Sequence, residues 1–256
     1  MRVTAIIQAR VGSTRLSKKI LRKIKGKTVL EHVLNRVKAA KNIKNVIIAT
    51  TLNREDLEIV KICSNLGISV YCGSEDDVLD RYYQASRIFN IEHIVRITSD
   101  CPLIDPEIID AVVDLYFAND ADYATNALLE TFPDGEDVEV IKHSALKMAW
   151  ENARLISERE HVTPYIKKNP HLFKIVNLEH KPSLGNKRWT LDREEDFEFI
   201  RIIYDNLYDI NPLFGMEEIL HFLEEHPEIE KLNNGIIRNE GYLKSLREDQ
   251  KANLGN

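Results

Sequence analysis

The chain is poor in cysteine, with three in 256 residues, at positions 63, 72 and 101. They form no CxxC pair and no Cys/His ligand spacing, which excludes a disulfide framework and a thiolate metal site and points to a reducing compartment. No apolar run approaches the roughly 18 residues that a membrane span needs. Met1 leads at once into a strand-like run rather than a basic segment with a cleavage site. The expectation is a cytoplasmic protein with no membrane partner. Basic charge is also in deficit: 35 Lys and Arg stand against 41 Asp and Glu, a net charge of −6, which argues against a nucleic-acid partner. No linker rich in Gly, Ser or Pro, no internal repeat and no low-complexity tract divides the chain. Residues 1–256 therefore read as a single domain with a nucleotide-binding half (1–120), an acceptor-binding half (121–238) and a polar C-terminal segment (239–256) expected to fray or to dock on a partner subunit.

What is present is patterned. From Arg10 to Lys27 there are eight Lys or Arg residues and no acid, in a chain that is acidic overall. A small polyanion fits that distribution. Thr4–Gln8, Val46–Thr50, Ser69–Cys72 and Ile94–Thr98 read as buried strands. Thr28–Lys41, Arg54–Leu66, Asp76–Phe89 and Pro106–Phe117 read as helices, and the stretch between Gln8 and Thr28 as a loop. Strands separated by helices of this length need crossovers. The fold class is therefore α/β, a mostly parallel sheet flanked by helices, with ligands expected beyond the strand C-termini. Shorter strands are expected at Tyr123–Asn126, Asp137–Ile141, Phe173–Asn177 and Trp189–Leu191, and helices at Ser144–Arg154 and Glu158–Lys168.

The segment from Gln8 and Ala9 through Arg10, Gly12, Ser13 and Arg15 to Lys19 puts glycine, hydroxyls and cations directly after the first strand, where backbone N–H groups can face phosphates. It lacks the GxxxxGK[ST] spacing of a Walker A loop. A solvated basic turn is the plain alternative, and position at the end of the first strand favours phosphate binding. Asp100 and Asp192 each follow an expected strand and could emerge at one sheet edge to hold one Mg²⁺, an ion that takes one or two carboxylates plus phosphates and water. A lone Asp after a strand is also an ordinary cap or turn residue. Asp105 before Pro106 reads as a helix cap.

The stretches Ile7–Leu16, Gly73–Tyr82, Asp100–Asp105 and Ser157–Tyr165 resemble the SpsF-type, spore-coat-polysaccharide branch of the cytidylyltransferases, with likeness to about Tyr208. A more distant similarity is to the enzymes that make CMP-linked sialic, pseudaminic and ketodeoxyoctulosonic acids. The resemblance implies a nucleotide-binding fold of the glycosyltransferase-A kind. It also implies transfer of CMP from CTP to a sugar acid or related polyol with release of pyrophosphate, Mg²⁺ as cofactor, and a possible homodimer. By that resemblance Arg15 and Lys19 hold the triphosphate as catalytic residues and Asp100 and Asp192 hold the metal. Gln8, Ala9, Arg10, Gly12, Ser13, Thr50, Arg81 and Thr98 fall in the nucleotide-binding stretches. The family loop usually reads ARxGSxRLPGK, and here Ser17 and Lys18 replace Pro-Gly. Loop shape is what that change bears on, since proline restricts φ and glycine allows positive φ. Thr98 and Ser99 stand where relatives often carry Gln-Gly.

Candidates for the acceptor are Asn126, Glu139, Arg159 and His161, with Asp134, Glu136 and Arg188 beside them. The carboxylates of the 133–139 turn read equally well as solvated groups, and a lone helical His is more often packed or capping. No general base is evident. Two rival functions stay open at this point: a glycosyltransferase using a finished nucleotide sugar, against which Asp100-Cys101-Pro102 offers no DxD motif, and a catalytically silent nucleotide-binding subunit.

Overall fold

The computed structural model describes residues 3–13 and 15–254; Thr14 of the first loop and the last two residues of the polar C-terminal segment lie outside them. Strand β1 (Val3–Gln8) alternates its burial between two faces. Val3, Ala5 and Ile7 enter one core and Ile6 enters the other. The same alternation holds in β4 (Ile43–Thr51), where Val46 and Ile48 face opposite to Ile47 and Ala49. A strand apolar on both sides must be covered on both sides, so the period-2 pattern dictates helices above and below the sheet.

The short hairpin β2 (Lys23–Ile24) and β3 (Lys27–Thr28) precedes helix α1 (Val29–Ala39). After β4 come α2 (Leu57–Asn65), β5 (Ser69–Gly73), α3 (Val78–Ile88), β6 (His93–Thr98), α4 (Pro106–Ala118) and β7 (Tyr123–Thr125). The chain continues through β8 (Glu139–Lys142), α5 (His143–Asn152), α6 (Ile156–His161), α7 (Pro164–Lys168), β9 (Ile175–Asn177), α8 (Glu194–Leu207), α9 (Met216–Glu225) and α10 (Glu240–Leu254). The main sheet runs β5-β4-β1-β6-β8-β7-β9. Strands β5, β4, β1 and β6 are parallel, and β8 is antiparallel to both its neighbours. From β1 the chain moves outward to β4 and β5 and then returns to β6 on the other side of β1. That reversal opens a crevice beyond the C-terminal ends of β1 and β6.

Where the sequence expectation failed, local chemistry explains it. The expected loop before α1 contains a hairpin, because Lys25 and Gly26 both take positive φ (49° and 80°), the conformation that lets two residues reverse a β-ribbon. The helix expected over 158–168 breaks at Val162 (φ 72°), just ahead of Pro164, which lacks an N–H and opens α7 as a new first turn. Trp189–Leu191 joins no sheet. Its N–H groups go to loop carbonyls instead, Trp189 to Asp134 (2.6 Å) and Leu191 to Asp100 (2.8 Å). The C-terminal segment packs on its own chain: Ser157 N donates to Asp249 (3.2 Å), and His161 bonds Ser245 (3.0 Å) and lies edge-on to Tyr242.

Two features of the fold act at a distance on the crevice. The buried guanidinium of Arg36 on α1 donates to Ile104 O (2.7 Å), Leu103 O (3.2 Å) and Phe214 O (2.5 Å), fixing the loop that follows Asp100. Arg36→Met strands three buried carbonyls and is expected to lower the unfolding free energy by about 3 kcal/mol in urea titration. Burial, aided by Arg96 and Lys167 against the pull of Glu160, pushes the His161 imidazole down to about 4. The unfolded chain takes up that proton near pH 6.5 and the folded chain does not until pH falls much further. Stability is therefore expected to fall between pH 6.5 and 4, by about 2–3 kcal/mol, and His161→Gln should flatten that part of the profile.

Candidate active site

The first loop leaves the sheet at Ala9, whose N–H goes to Ala49 O (3.1 Å). Its path is then set by Asp56, a buried carboxylate that accepts from Val11 N (2.6 Å) and from the Thr51 hydroxyl at the end of β4. Gly12 passes Glu55 so closely that a Cβ there would lie 2.7 Å from Glu55 Oε1. The Ser13 hydroxyl accepts from Leu16 N (3.4 Å). Lys18 takes the left-handed conformation (φ 51°, ψ 31°) in the position where the family pattern has glycine. Losing Pro-Gly has thus left a glycine-like backbone, at a cost of about 1–2 kcal/mol for a residue with a side chain. A single 3₁₀ turn, Lys19–Leu21, follows and begins on Lys19.

Lys19 reaches across the crevice to two carboxylates. Its Nζ donates to Asp100 Oδ2 (2.6 Å), Asp192 Oδ1 (2.8 Å) and Leu191 O (2.9 Å). Burial opposes the charge on Lys19, but Asp100 and Asp192 outweigh it and hold the ammonium above the ordinary lysine range. Burial likewise works against ionised Asp100, and Lys19 overcomes it, bringing that carboxyl down to about 2. Arg15 adds a second cation on Asp192 Oδ1 (2.7 Å) and also meets Glu240 of α10 (3.4 Å).

Each carboxylate is held from behind. Asp100 accepts Leu191 N on its carbonyl, which joins the β6 loop to the 189–191 run. Asp192 is placed by the fully buried Asp196, which accepts from Asp192 N (3.0 Å) and Arg193 N (2.9 Å) and is clamped by Arg188 (2.9 and 3.0 Å). Asp105 caps α4 through Glu107 N (2.8 Å) and also accepts Met216 N (2.7 Å). The donor set around the Lys19 ammonium is all oxygen and already gathers on one cation, a chemistry that fits Mg²⁺ and not a thiophilic metal. Among the described residues no three His, Cys, Asp or Glu groups gather as a metal cage. An ion here would need phosphate and water to complete its shell.

The remaining nucleotide candidates line the same strand ends in different states. Gln8 Oε1 accepts from Arg96 (2.9 Å), and Thr98 Oγ1 lies 3.2 Å from Cys101 Sγ. Arg10 is exposed and pairs loosely with Glu75 (3.4 Å). Thr50 is fully buried, and its hydroxyl has no partner among the described residues. Arg81 is also buried, donating to Ser74 O (2.8 Å) so as to brace the loop after β5.

The four acceptor candidates are each engaged within the protein. Asn126 is buried and braces the turn, donating to Glu136 O (2.7 Å) and accepting from Val138 N (2.8 Å). Arg159 is taken up by Asp77 and by Trp150 O (2.8 Å), and His161 by Ser245. Glu139 is the hub of a buried network. It accepts from Thr163 (2.6 Å) and Tyr123 and pairs with Arg96 and Lys167 (3.0 Å). Burial resists its charge, and Lys167 with Arg96 prevails, holding the carboxyl well below the usual range. Asp56, Arg96, Lys167 and Asp196 escaped the sequence reading. Only Arg96 gave a signal there, as a lone charge inside an apolar strand.

A family model described as cytidylyltransferase matches residues 4–238. Among curated relatives, an uncharacterized protein of Methanocaldococcus jannaschii is 40% identical over 92% of this chain and 96% of its own. The spore coat polysaccharide biosynthesis protein SpsF of Bacillus subtilis is 31% identical over 87% and 94%. A 3-deoxy-manno-octulosonate cytidylyltransferase of Koribacter versatilis is 29% identical over 75% and 71%. A solved cytidylyltransferase structure from Leptospira borgpetersenii superposes with a TM-score of 0.86 at 35% identity, covering 93% of this chain and 99% of that one. With the family model spanning both halves of the sheet and taking in the basic loop, the chain belongs to the cytidylyltransferase family, nucleotidyltransferases that draw on CTP.

Proposed function

We propose that this enzyme transfers CMP from CTP to a hydroxyl of a sugar acid or related polyol, for surface polysaccharide or glycan synthesis. One observation carries the reading: Lys19 and Arg15 from the first loop meet Asp100 and Asp192 at the crevice between β1 and β6. Cations on a loop fit the β- and γ-phosphates, and the carboxylate pair fits Mg²⁺. The sugar-acid class follows the Koribacter relative and the polysaccharide setting follows SpsF. A cytoplasmic setting and a homodimer belong to the same reading. Among the described residues no helix is long and apolar enough to cross a membrane.

In this reaction the acceptor hydroxyl oxygen attacks the α-phosphorus in line and gives its proton to solvent, a new P–O bond forms, and the bond to the β-phosphate oxygen breaks to release pyrophosphate. Negative charge grows on the departing pyrophosphate, where Lys19 and Arg15 neutralise it without reorganising solvent. Asp100 and Asp192 would hold Mg²⁺, which polarises the phosphate when bound. Gln8, Ala9, Arg10, Gly12, Ser13 and Thr98 frame the nucleotide. Thr50 and Arg81 support the base side from within the fold, and Glu139, Asn126, Arg159 and His161 shape the acceptor side by bracing its walls.

Pyrophosphate release tests this directly, with CTP, UTP, ATP and GTP in turn, with Mg²⁺ or EDTA, against sugar acids, sugar phosphates and polyol phosphates. The expected result is acceptor-dependent release with CTP, lost in EDTA, with kcat lowered by about 10²–10³ in Lys19→Ala and in Asp100→Ala. Preference for another nucleotide, or release unchanged by EDTA and by both substitutions, would overturn the reading.

A further inference from the structure

We infer that Lys19 is the counter-ion that closes the carboxylate pair to divalent cations until a nucleotide triphosphate draws it away. The inference rests on the reading of Asp100 and Asp192 as the metal-holding pair. An ammonium has three N–H donors and no more, and those of Lys19 have three acceptors, at 2.6, 2.8 and 2.9 Å. The oxygens it holds, Asp100 Oδ2 and Asp192 Oδ1, are the ones that converge on a single point. A magnesium-sized ion bonds oxygen at about 2.0–2.1 Å and would need that same point. Ammonium and metal therefore exclude one another there.

The surroundings reinforce the exclusion. The Lys19 side chain is only 12% exposed, so this is no solvated surface pair that swings freely. Arg15 occupies the same Asp192 oxygen at 2.7 Å, and Arg188 stands 3.7 Å from the other. A divalent cation arriving alone meets carboxylates already neutralised and three cations beside them. A triphosphate changes both sides of that balance. Its oxygens offer Lys19 and Arg15 acceptors of greater charge, and they supply the ligands that two carboxylates alone do not. Lys19 can follow them because four rotatable bonds separate its ammonium from the backbone of the 3₁₀ turn. Metal and nucleotide would thus enter together, and metal alone would bind weakly.

The test is Mn²⁺ binding followed by electron paramagnetic resonance of the free ion, without nucleotide. Wild type and Lys19→Arg should bind weakly, the arginine keeping the positive charge in place. Lys19→Met should bind Mn²⁺ at least about tenfold more tightly, because it leaves a carboxylate pair without its counter-ion. Adding Asp100→Asn in the Lys19→Met background should abolish the gain. If Lys19→Met fails to fold by circular dichroism, Lys19→Gln carries the same comparison. Equal Mn²⁺ affinity in wild type and in the uncharged Lys19 variant would overturn the inference, even if CTP-dependent pyrophosphate release still requires Asp100 and so leaves the proposed function standing. A gain that survives Asp100→Asn would put the metal elsewhere and overturn both.

Discussion

Like charges repel and buried charges need partners; the crevice meets both constraints with one ammonium. Lys19 comes from the loop after β1, Asp100 from the loop after β6, and Asp192 from the irregular run that precedes α8. Removing Lys19 leaves Asp100 a partly buried charge with its partner gone, which is far more costly than losing an exposed ion pair. Three segments distant in sequence are therefore held at one point by a contact that a ligand can reorganise.

The rest of the fold serves that meeting. The reversal of strand order at β1 puts Gln8 beside Thr98, so their following loops share one edge. Asp56 fixes the first loop through Val11 N, Arg36 fixes the second through the carbonyls of Leu103 and Ile104, and Asp196 with Arg188 fixes the third. All four side chains are largely buried, and none reaches the ion cluster as a donor or acceptor except Arg188, at its margin. Such residues act by holding the backbone of the three loops, so their removal should disturb geometry before charge.

The first half of the fold was legible because its signals are local. Short apolar runs in β1, β4 and β6 and helical spacing in α1 and α4 need no knowledge of distant partners. Thr28-Val29-Leu30-Glu31 even spells a capping box, and Thr28 and Glu31 bond reciprocally at 2.7 and 3.2 Å. Asp105 was legible as a cap for the same reason. The second half depends on contacts between residues far apart. Glu139 reads as a carboxylate in a turn until Arg96, Lys167, Thr163 and Tyr123 converge on it, and nothing in its neighbours along the chain announces them. Trp189–Leu191 has a strand's composition, but its hydrogen bonds go to loops. Position 18 ran the other way: the sequence departs from glycine, yet the backbone of Lys18 takes the left-handed conformation that glycine adopts most easily.

An ammonium resting between the two carboxylates requires that Lys19 and Asp100 be energetically coupled in the enzyme without nucleotide or metal. A double-mutant cycle measures this, using urea unfolding of wild type, Lys19→Met, Asp100→Asn and the double variant in EDTA. The double variant is expected to lose less stability than the sum of the single losses, with a coupling of about 1–3 kcal/mol. Additive losses, agreeing within about 0.5 kcal/mol, would mean that the ammonium does not rest between the carboxylates.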